Sequence, residues 1–260
     1  MTPTEKLTSQ EFSFKKSYKE LDGLYPLFYA AKHNRTNYLT DSFSKMSPSD
    51  VENHINFQNA HGLTALHYAC LHGSVDVAKV LLSYGAENKK TYRTQQLPIH
   101  MVFSDHNSPE TCWALFELLH SYGNERDYSN QTIGHLAAIK GNTKVLSHLN
   151  KEYPNILNQV DNFSLTPLLA AVLNNQIEAV VFLLKHSQYS ISNSKGQNAL
   201  HLAVGSSTIE MINCLLPFFD PNALDSEKNS ALDLAIKLNF KDKEMVLLSK
   251  VNQNHSAAPN

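Results

Sequence analysis

The chain has 260 residues, of which 42% are hydrophobic, and its formal net charge is −2. This apolar content argues against global disorder, and the near-zero charge excludes a nucleic-acid binder that works through bulk positive charge. Three cysteines, Cys70, Cys112 and Cys214, cannot all pair within one chain, which fits a reduced, intracellular setting. We expect no membrane insertion, because no apolar run approaches the roughly 18 residues that span a bilayer.

The polar N-terminus lacks the apolar core of a signal peptide. Residues 1–20 predict a capping helix, since Phe12, Phe14 and Tyr18 offer apolar contacts to whatever follows.

A six-residue motif then returns along residues 21–250. Its clearest copy is Thr64-Ala-Leu-His-Tyr-Ala, and equivalents of Thr64 follow at intervals of 32 to 35 residues. A divergent first copy begins at Tyr25. The later equivalents are Leu97, Thr132, Thr166, Asn198 and Ser230. Two more features complete the unit: a glycine nine residues after the threonine, as at Gly73 and Gly141, and a Leu-Leu-x-x-Gly ending.

This pattern resembles the ankyrin repeat. The resemblance covers about residues 20 to 250. It implies an all-α ankyrin-repeat solenoid of about six to seven helix-turn-helix repeats, with short β-turn fingers and a concave face. The residue spacing agrees on its own, because Leu66, Ala69 and Cys70 fall on one face of a helix that starts at Thr64. Later copies repeat this face, down to Ala235 and Ile236 in the last one.

The finger turns are also predicted from residue type. Gly62, Gly196 and Asn130 stand two residues before the start of a motif, where the turn needs a positive φ. Gln95 and Lys228 stand at the same place and depart from this preference, so we expect distorted turns there.

Two insertions and a tail interrupt the pattern. Extra chain lies at residues 40–57, where Ser47-Pro predicts a helix start, and at residues 104–111, which end in a similar signal. The insertions are either neutral drift in loops or features shaped by a partner. Residues 251–260 are expected to be a disordered tail.

Thirteen histidines raise the question of catalysis or metal binding. Four of them, His67, His100, His135 and His201, share one repeat position, and the resemblance implies that they hydrogen-bond within and between finger turns. Metal-ligand spacings, a phosphate loop and a nucleophile motif are absent from the sequence. We therefore predict no enzyme, no catalytic residue, no metal and no cofactor.

Protein binding is the function that we predict. Leu71, Ile139 and Leu173 place apolar groups on the concave wall, where the family usually has polar ones, and the fingers add aromatic residues. We expect a protein partner to contact Tyr68, Leu71, His72, Tyr92, Arg93, Met101, Asp105, Tyr128, Leu136, Ile139, Lys140, Phe163 and Leu173.

The setting is suggested by the degenerate repeats. In this respect the chain is similar to ankyrin-repeat effectors that intracellular bacterial pathogens secrete, without a classical signal peptide, into the host cytosol. A eukaryotic regulator is the alternative. We expect a monomeric interaction module. An adaptor that recruits a substrate to a modification system, an enzyme regulator or inhibitor, and an enzyme with a hidden pocket remain open.

Overall fold

The computed structural model describes residues 24–256, so the capping helix predicted at residues 1–20 lies outside the described part. Residues 24–256 form helices and turns but no β-sheet. The chain divides into two compact units, Met1–Leu118 and Leu119–Asn260. The helices that begin in the first unit are α1 (Leu24–His33), α2 (Thr36–Phe43), α3 (Pro48–Ile55), α4 (Ala65–Leu71), α5 (Val75–Ser83), α6 (Pro98–Met101) and α7 (Pro109–Leu119).

The second unit continues with four helix pairs and two short 3₁₀ turns, His120–Tyr122 and Pro154–Asn158. Its helices are α8 (Ile133–Ile139), α9 (Thr143–Glu152), α10 (Pro167–Leu173), α11 (Ile177–His186), α12 (Ala199–Ser206), α13 (Ile209–Leu215), α14 (Ala231–Lys237) and α15 (Lys241–Ser256). The first helices of these pairs pack side by side in one row and the second helices in another. The predicted all-α repeat architecture is thus the one observed.

The first helix of each later pair begins where the sequence motif predicts. Thr64 is the N-cap of α4, and its hydroxyl accepts a hydrogen bond from the backbone N–H of His67 at 3.4 Å. Thr166 and Ser230 cap α10 and α14 in the same way. Such a cap stabilises a helix by about 1 kcal/mol. The periodic residue therefore recurs because each repeat needs a cap at that point.

The finger turns correct one prediction. Gly62 and Gly196 have φ values of 79° and 70°, as expected, but Gln95 and Lys228 also adopt positive φ, at 52° and 64°. The turn at Lys228 keeps the hydrogen bond of the regular fingers, with its N–H donating to the Asp225 carbonyl at 3.1 Å. The expectation of a distorted turn is therefore wrong at Lys228. The turn at Gln95 does depart from the regular fingers, because it is closed one residue wider, by the Thr91 N–H donating to the Gln96 carbonyl at 2.9 Å.

An acceptor side chain explains why the turn tolerates lysine. The Asp225 carboxylate accepts the backbone N–H groups of Glu227 and Asn229, both at 2.9 Å. The N–H of Asn229 is the main reason that the pKa of Asp225 lies below its usual range. The same two bonds recur in four other fingers, where the acceptors are Asn59, Asp127, Asp161 and Asn193. In the finger that contains Gln95, the Thr91 hydroxyl instead accepts the N–H of Gln96 at 3.0 Å.

The core follows the predicted stripe until the last pair. Leu66, Ala69 and Cys70 are fully buried, and so is Ala235 in α14. Ile236 is 51% exposed, although the equivalent residues of earlier repeats are buried. The prediction that Ile236 is a core residue is wrong, because no helix among the described residues lies beyond the last pair to cover it.

Both insertions start helices as predicted. Ser47 caps α3 by accepting the N–H of Asp50, and α7 begins at Pro109. The second insertion also reaches back to α4, since the Ser104 hydroxyl donates to the Leu71 carbonyl at 2.6 Å. Asn107 donates to the Cys70 carbonyl at 2.8 Å. This insertion therefore satisfies carbonyl groups at the end of α4.

The last helix continues to Ser256, past residue 250, where the sequence led us to end the repeats. Residues 257–260 lie outside the described part.

Candidate protein-binding surfaces

The repeat histidines join neighbouring fingers. In His67, Nδ1 accepts the backbone N–H of Thr64 at 3.1 Å, so Nε2 carries the proton and donates to the Gln96 carbonyl of the next finger at 3.1 Å. His135 and His201 reach the next finger at 2.9 and 3.1 Å. The hydrogen bonds predicted within and between fingers are confirmed for these three histidines.

Burial keeps these repeat histidines in the neutral form. It lowers the pKa of His67 to about 4, against a partial opposing effect of the bond to Gln96. The pKa of His135 is lowered for the same reason. Both rings are therefore neutral at pH 7 and act as structural links.

Cys70 is enclosed in the core, and this burial raises the pKa of its thiol. A thiol in that state is a poor nucleophile. Among residues 24–256 no group of three His, Cys, Asp or Glu side chains is arranged to hold a metal ion. A helix with both the length and the apolar character to cross a membrane is likewise not found in this range.

The first unit places part of the predicted contact set on α4 and α6. Tyr68, Leu71 and Met101 are each partly exposed. The ring of Tyr68 packs edge-on against Phe28 at 5.1 Å and lies 6.1 Å from the ring of His72. Tyr68 and His72 are thus brought together on one surface.

Other predicted residues of this unit lie on turns. Tyr92 and the adjacent Arg93 are exposed at a finger, where the Tyr92 N–H donates to the His61 carbonyl at 3.3 Å. Asp105 is exposed in the insertion that follows α6.

The second unit places four predicted residues on its first helices. Leu136, Ile139 and Lys140 at α8, and Leu173 at the end of α10, are all partly exposed. These four side chains are therefore available for contact. Ala170, which occupies in α10 the repeat position that Leu136 occupies in α8, is buried.

The finger tips of the second unit carry its most exposed aromatic rings. Tyr128 is 73% exposed and Phe163 is 67% exposed, on consecutive fingers. Asn162 joins the two tips, because its backbone N–H donates to the Ser129 carbonyl at 3.0 Å and its side chain donates to the Tyr128 carbonyl at 3.1 Å. Its side-chain oxygen also accepts from Asn130 at 2.6 Å. Nothing in the repeat pattern pointed to Asn162, since its bonds join two different repeats.

The helix pairs, capped first helices and linked fingers have a counterpart in a known family. The family model for ankyrin repeats, which spans three copies of the repeat, matches residues 5–92 and 99–193 of this chain. The chain belongs to the ankyrin-repeat family. Ankyrin repeats indicate a protein–protein interaction module, which confirms the general part of the predicted function.

Two relatives illustrate the likeness. Rabankyrin-5 of Mus musculus is 32% identical over 180 residues, which are 65% of this chain and 15% of that protein. The B-cell lymphoma 3 protein homolog of Mus musculus is 29% identical over 202 residues, 75% of this chain and 44% of that protein. The chain therefore spans less than half the length of either relative.

A solved structure shows the same fold. The human ASB11 ankyrin repeat domain superposes with a TM-score of 0.72 at 22% identity, over 90% of this chain and 99% of that domain. The predicted ankyrin-repeat solenoid is confirmed.

Proposed function

We propose that this chain is a non-enzymatic module that holds a partner protein, and that the finger tips of its second unit supply much of the binding energy. One observation carries the proposal: Tyr128 and Phe163, on consecutive fingers, leave most of their aromatic surface in water. Aromatic residues dominate the energetics of protein interfaces when a partner buries them.

The tips are already ordered without a partner. Asp127 and Asp161 each hold their own turn through two backbone N–H groups, and Asn162 joins the two turns. Ordering these loops on binding therefore costs little free energy, so more of the free energy gained by burying the aromatic rings contributes to affinity.

The size of the effect follows from the buried surface. Fully burying a large apolar side chain contributes about 1.5–3 kcal/mol. Each tip is already about a third covered, so we expect about 1–2 kcal/mol from each ring, or roughly a five- to thirtyfold change in Kd.

The test begins by capturing the partner from a lysate, identifying it by mass spectrometry and purifying it. Its Kd is then measured against the unaltered chain, Tyr128→Ala, Phe163→Ala and the double variant. The matched control is Met245→Ala, since Met245 is 63% exposed in α15, away from the fingers. We expect the double variant to weaken binding at least twentyfold and the control to change it less than twofold. Equal affinity of the double variant and the unaltered chain contradicts the proposal.

The partly exposed helix residues give a second arm of the same proposal. Leu71→Asp combined with Ile139→Asp puts charge at two positions that we expect the partner to cover. Because both side chains are partly exposed, we expect the double variant to fold and to lose capture. Unchanged capture by the folded variant removes these helix faces from the binding surface.

The biological setting belongs to this proposal as well. Secretion as a bacterial effector rests on the likeness of the degenerate repeats. A substrate-recruiting adaptor is the alternative, and it needs a second docking motif. Helix α3, inserted at Pro48–Ile55, is one candidate, with Glu52 and Asn53 exposed. If the chain is an adaptor, deleting α3 will leave one partner bound and release the other. Regulation of an enzyme would show as a change in the partner's own activity.

A further inference from the structure

A row of imidazole and phenol rings lies on the first unit, along α1, α4 and the insertion after α6. The ring of His33 lies 4.6 Å from that of Tyr29, and the ring of His72 lies 5.6 Å from that of His106. Tyr68 lies beside His72 at 6.1 Å. We call this surface the histidine–tyrosine strip, and its members are Tyr29, His33, Tyr68, His72 and His106.

Positive groups converge on this strip. Partial burial, followed by the nearby charges of Lys32, His106 and His33, lowers the pKa of His72. Lys32, His33 and His106 are exposed, so a partner can reach them. The acidic Asp105, which adjoins His106 and is also exposed, offsets part of the positive charge.

Neighbouring residues, and not the rings themselves, make the contacts that hold the strip in place. Ser104 and Asn107 fasten the insertion that carries His106 to the carbonyl groups of Leu71 and Cys70. Phe28 packs edge-on against Tyr68 at 5.1 Å. Lys32 and the imidazoles are therefore brought together by the fold, although their like charges repel one another once the imidazoles are protonated.

We propose that the histidine–tyrosine strip binds an acidic segment of the partner protein, and that it does so more tightly as its histidines become protonated. This inference rests on the proposed function, because Tyr68 and His72 belong to the surface predicted to hold the partner. It adds the chemistry of the partner: a run of Asp or Glu side chains.

Charge complementarity selects this occupant. An apolar segment would remove Lys32 and the imidazoles from water without supplying an opposite charge, which is costly. A basic segment would be repelled. Carboxylates accept hydrogen bonds from imidazolium, ammonium and phenol groups, and their negative charge relieves the repulsion within the strip.

The direction of the pH effect follows from linkage. A bound carboxylate favours the charged imidazole and so raises the pKa of His72. Binding then takes up protons, and affinity rises as the pH falls from about 7.5 towards 5.5. The rise ends where glutamate itself becomes protonated, near its ordinary pKa of about 4.3.

The experiment uses two fluorescein-labelled peptides, one of ten glutamates and one of ten glutamines, titrated with the full chain by fluorescence anisotropy. Titrations are run at pH 5.5 and 7.5 and at low ionic strength, because salt screens exposed charges. We expect the glutamate peptide to bind at least tenfold more tightly at pH 5.5, and the glutamine peptide to bind weakly at both.

Three variants make the test specific. His72→Gln combined with His106→Gln is expected to abolish most of the pH dependence, and Asp105→Asn to tighten binding two- to fivefold. His61→Gln, at an exposed finger residue of the same unit, is the matched control and is expected to change neither value. NMR of the imidazole protons is expected to show the pKa of His72 rising when the glutamate peptide is added.

Equal binding of the two peptides, or the same pH dependence after loss of His72 and His106, overturns the inference. If that happens while Tyr128→Ala with Phe163→Ala still releases the partner, the proposed function stands and only the acidic chemistry is wrong. If the glutamate peptide binds as expected but the finger-tip variants keep the partner, the placement of the binding energy at the tips is wrong instead.

Discussion

Acid is expected to destabilise the first unit through His67. The pKa of this histidine is about 4 in the folded protein, against 6.5 for an unperturbed histidine. The unfolded chain therefore binds a proton more readily than the folded one. The stability that the neutral ring provides is fully present above pH 6.5 and is lost as the pH falls towards 4.

The magnitude follows from these two values. At pH 5 nearly every unfolded imidazole carries a proton, whereas about one folded ring in ten does. At 1.36 kcal/mol per pKa unit, lowering the pH from 7 to 5 reduces the free energy of unfolding by about 2 kcal/mol through His67 alone. The main cause is burial of the ring, which disfavours the charged imidazole. Protonation at Nδ1 would also break the hydrogen bond that this atom accepts from the N–H of Thr64.

The assay is urea unfolding followed by tryptophan fluorescence. The chain has one tryptophan, Trp113, which lies in α7 of the same unit as His67. The free energy of unfolding is measured at pH 7 and pH 5 for the unaltered chain and for His67→Gln. Other titrating groups act equally in both proteins, so their contributions cancel in the comparison.

We expect the loss of stability between the two pH values to be about 2 kcal/mol smaller in His67→Gln than in the unaltered chain. Glutamine can keep part of the hydrogen bonding and does not titrate. The same loss in both proteins, within about 0.5 kcal/mol, would refute the claim that a buried neutral His67 links the fingers.

Three further predictions test the fingers and the core. Lys228→Gly is expected to raise the free energy of unfolding of the second unit by about 0.5–1 kcal/mol, because lysine is strained at φ 64°; amide hydrogen exchange in α14 measures it, and no gain would contradict the strain. Gly62→Ala is expected to lower the free energy of unfolding more than Gly85→Ala does, because both glycines have positive φ but only at Gly62 would a Cβ meet a backbone atom, the Tyr92 nitrogen, at 2.6 Å. Equal losses in urea unfolding would count against this contact. In the folded chain at pH 8, iodoacetamide is expected to modify the half-buried Cys214 at least tenfold faster than Cys70, because Cys70 is fully buried; peptide mapping by mass spectrometry measures both rates, and equal rates would show that the core opens readily.

Local features of the fold were predictable from sequence. A helix start depends on one capping residue and the few that follow, so Thr64, Ser47 and Ser230 could be placed without a structure. The turn at Lys228 was predicted wrongly from the residue type at that position alone, because the Asp225 carboxylate, three residues earlier, holds the turn. Ile236 looked like its buried equivalents, and its exposure depends on what packs beyond the last described helix pair.

The candidate surfaces were also predictable only in part. The exposed tips Tyr128 and Phe163 were predicted, because a finger always ends in solvent. The bond from Asn162 to Tyr128 and the approach of His106 to His72 join residues about 34 positions apart in the chain. A repeat pattern describes one repeat at a time, so it predicts neither of these contacts between repeats.

Photo-cross-linking tests the central claim most directly. A benzophenone amino acid replaces Phe163, and in a matched chain it replaces Phe218, which is 42% exposed outside the fingers. After irradiation with the captured partner, we predict a covalent adduct from position 163 and at least tenfold less from position 218. Equal adducts from both positions, or adducts from position 218 alone, would contradict a partner held at the finger tips.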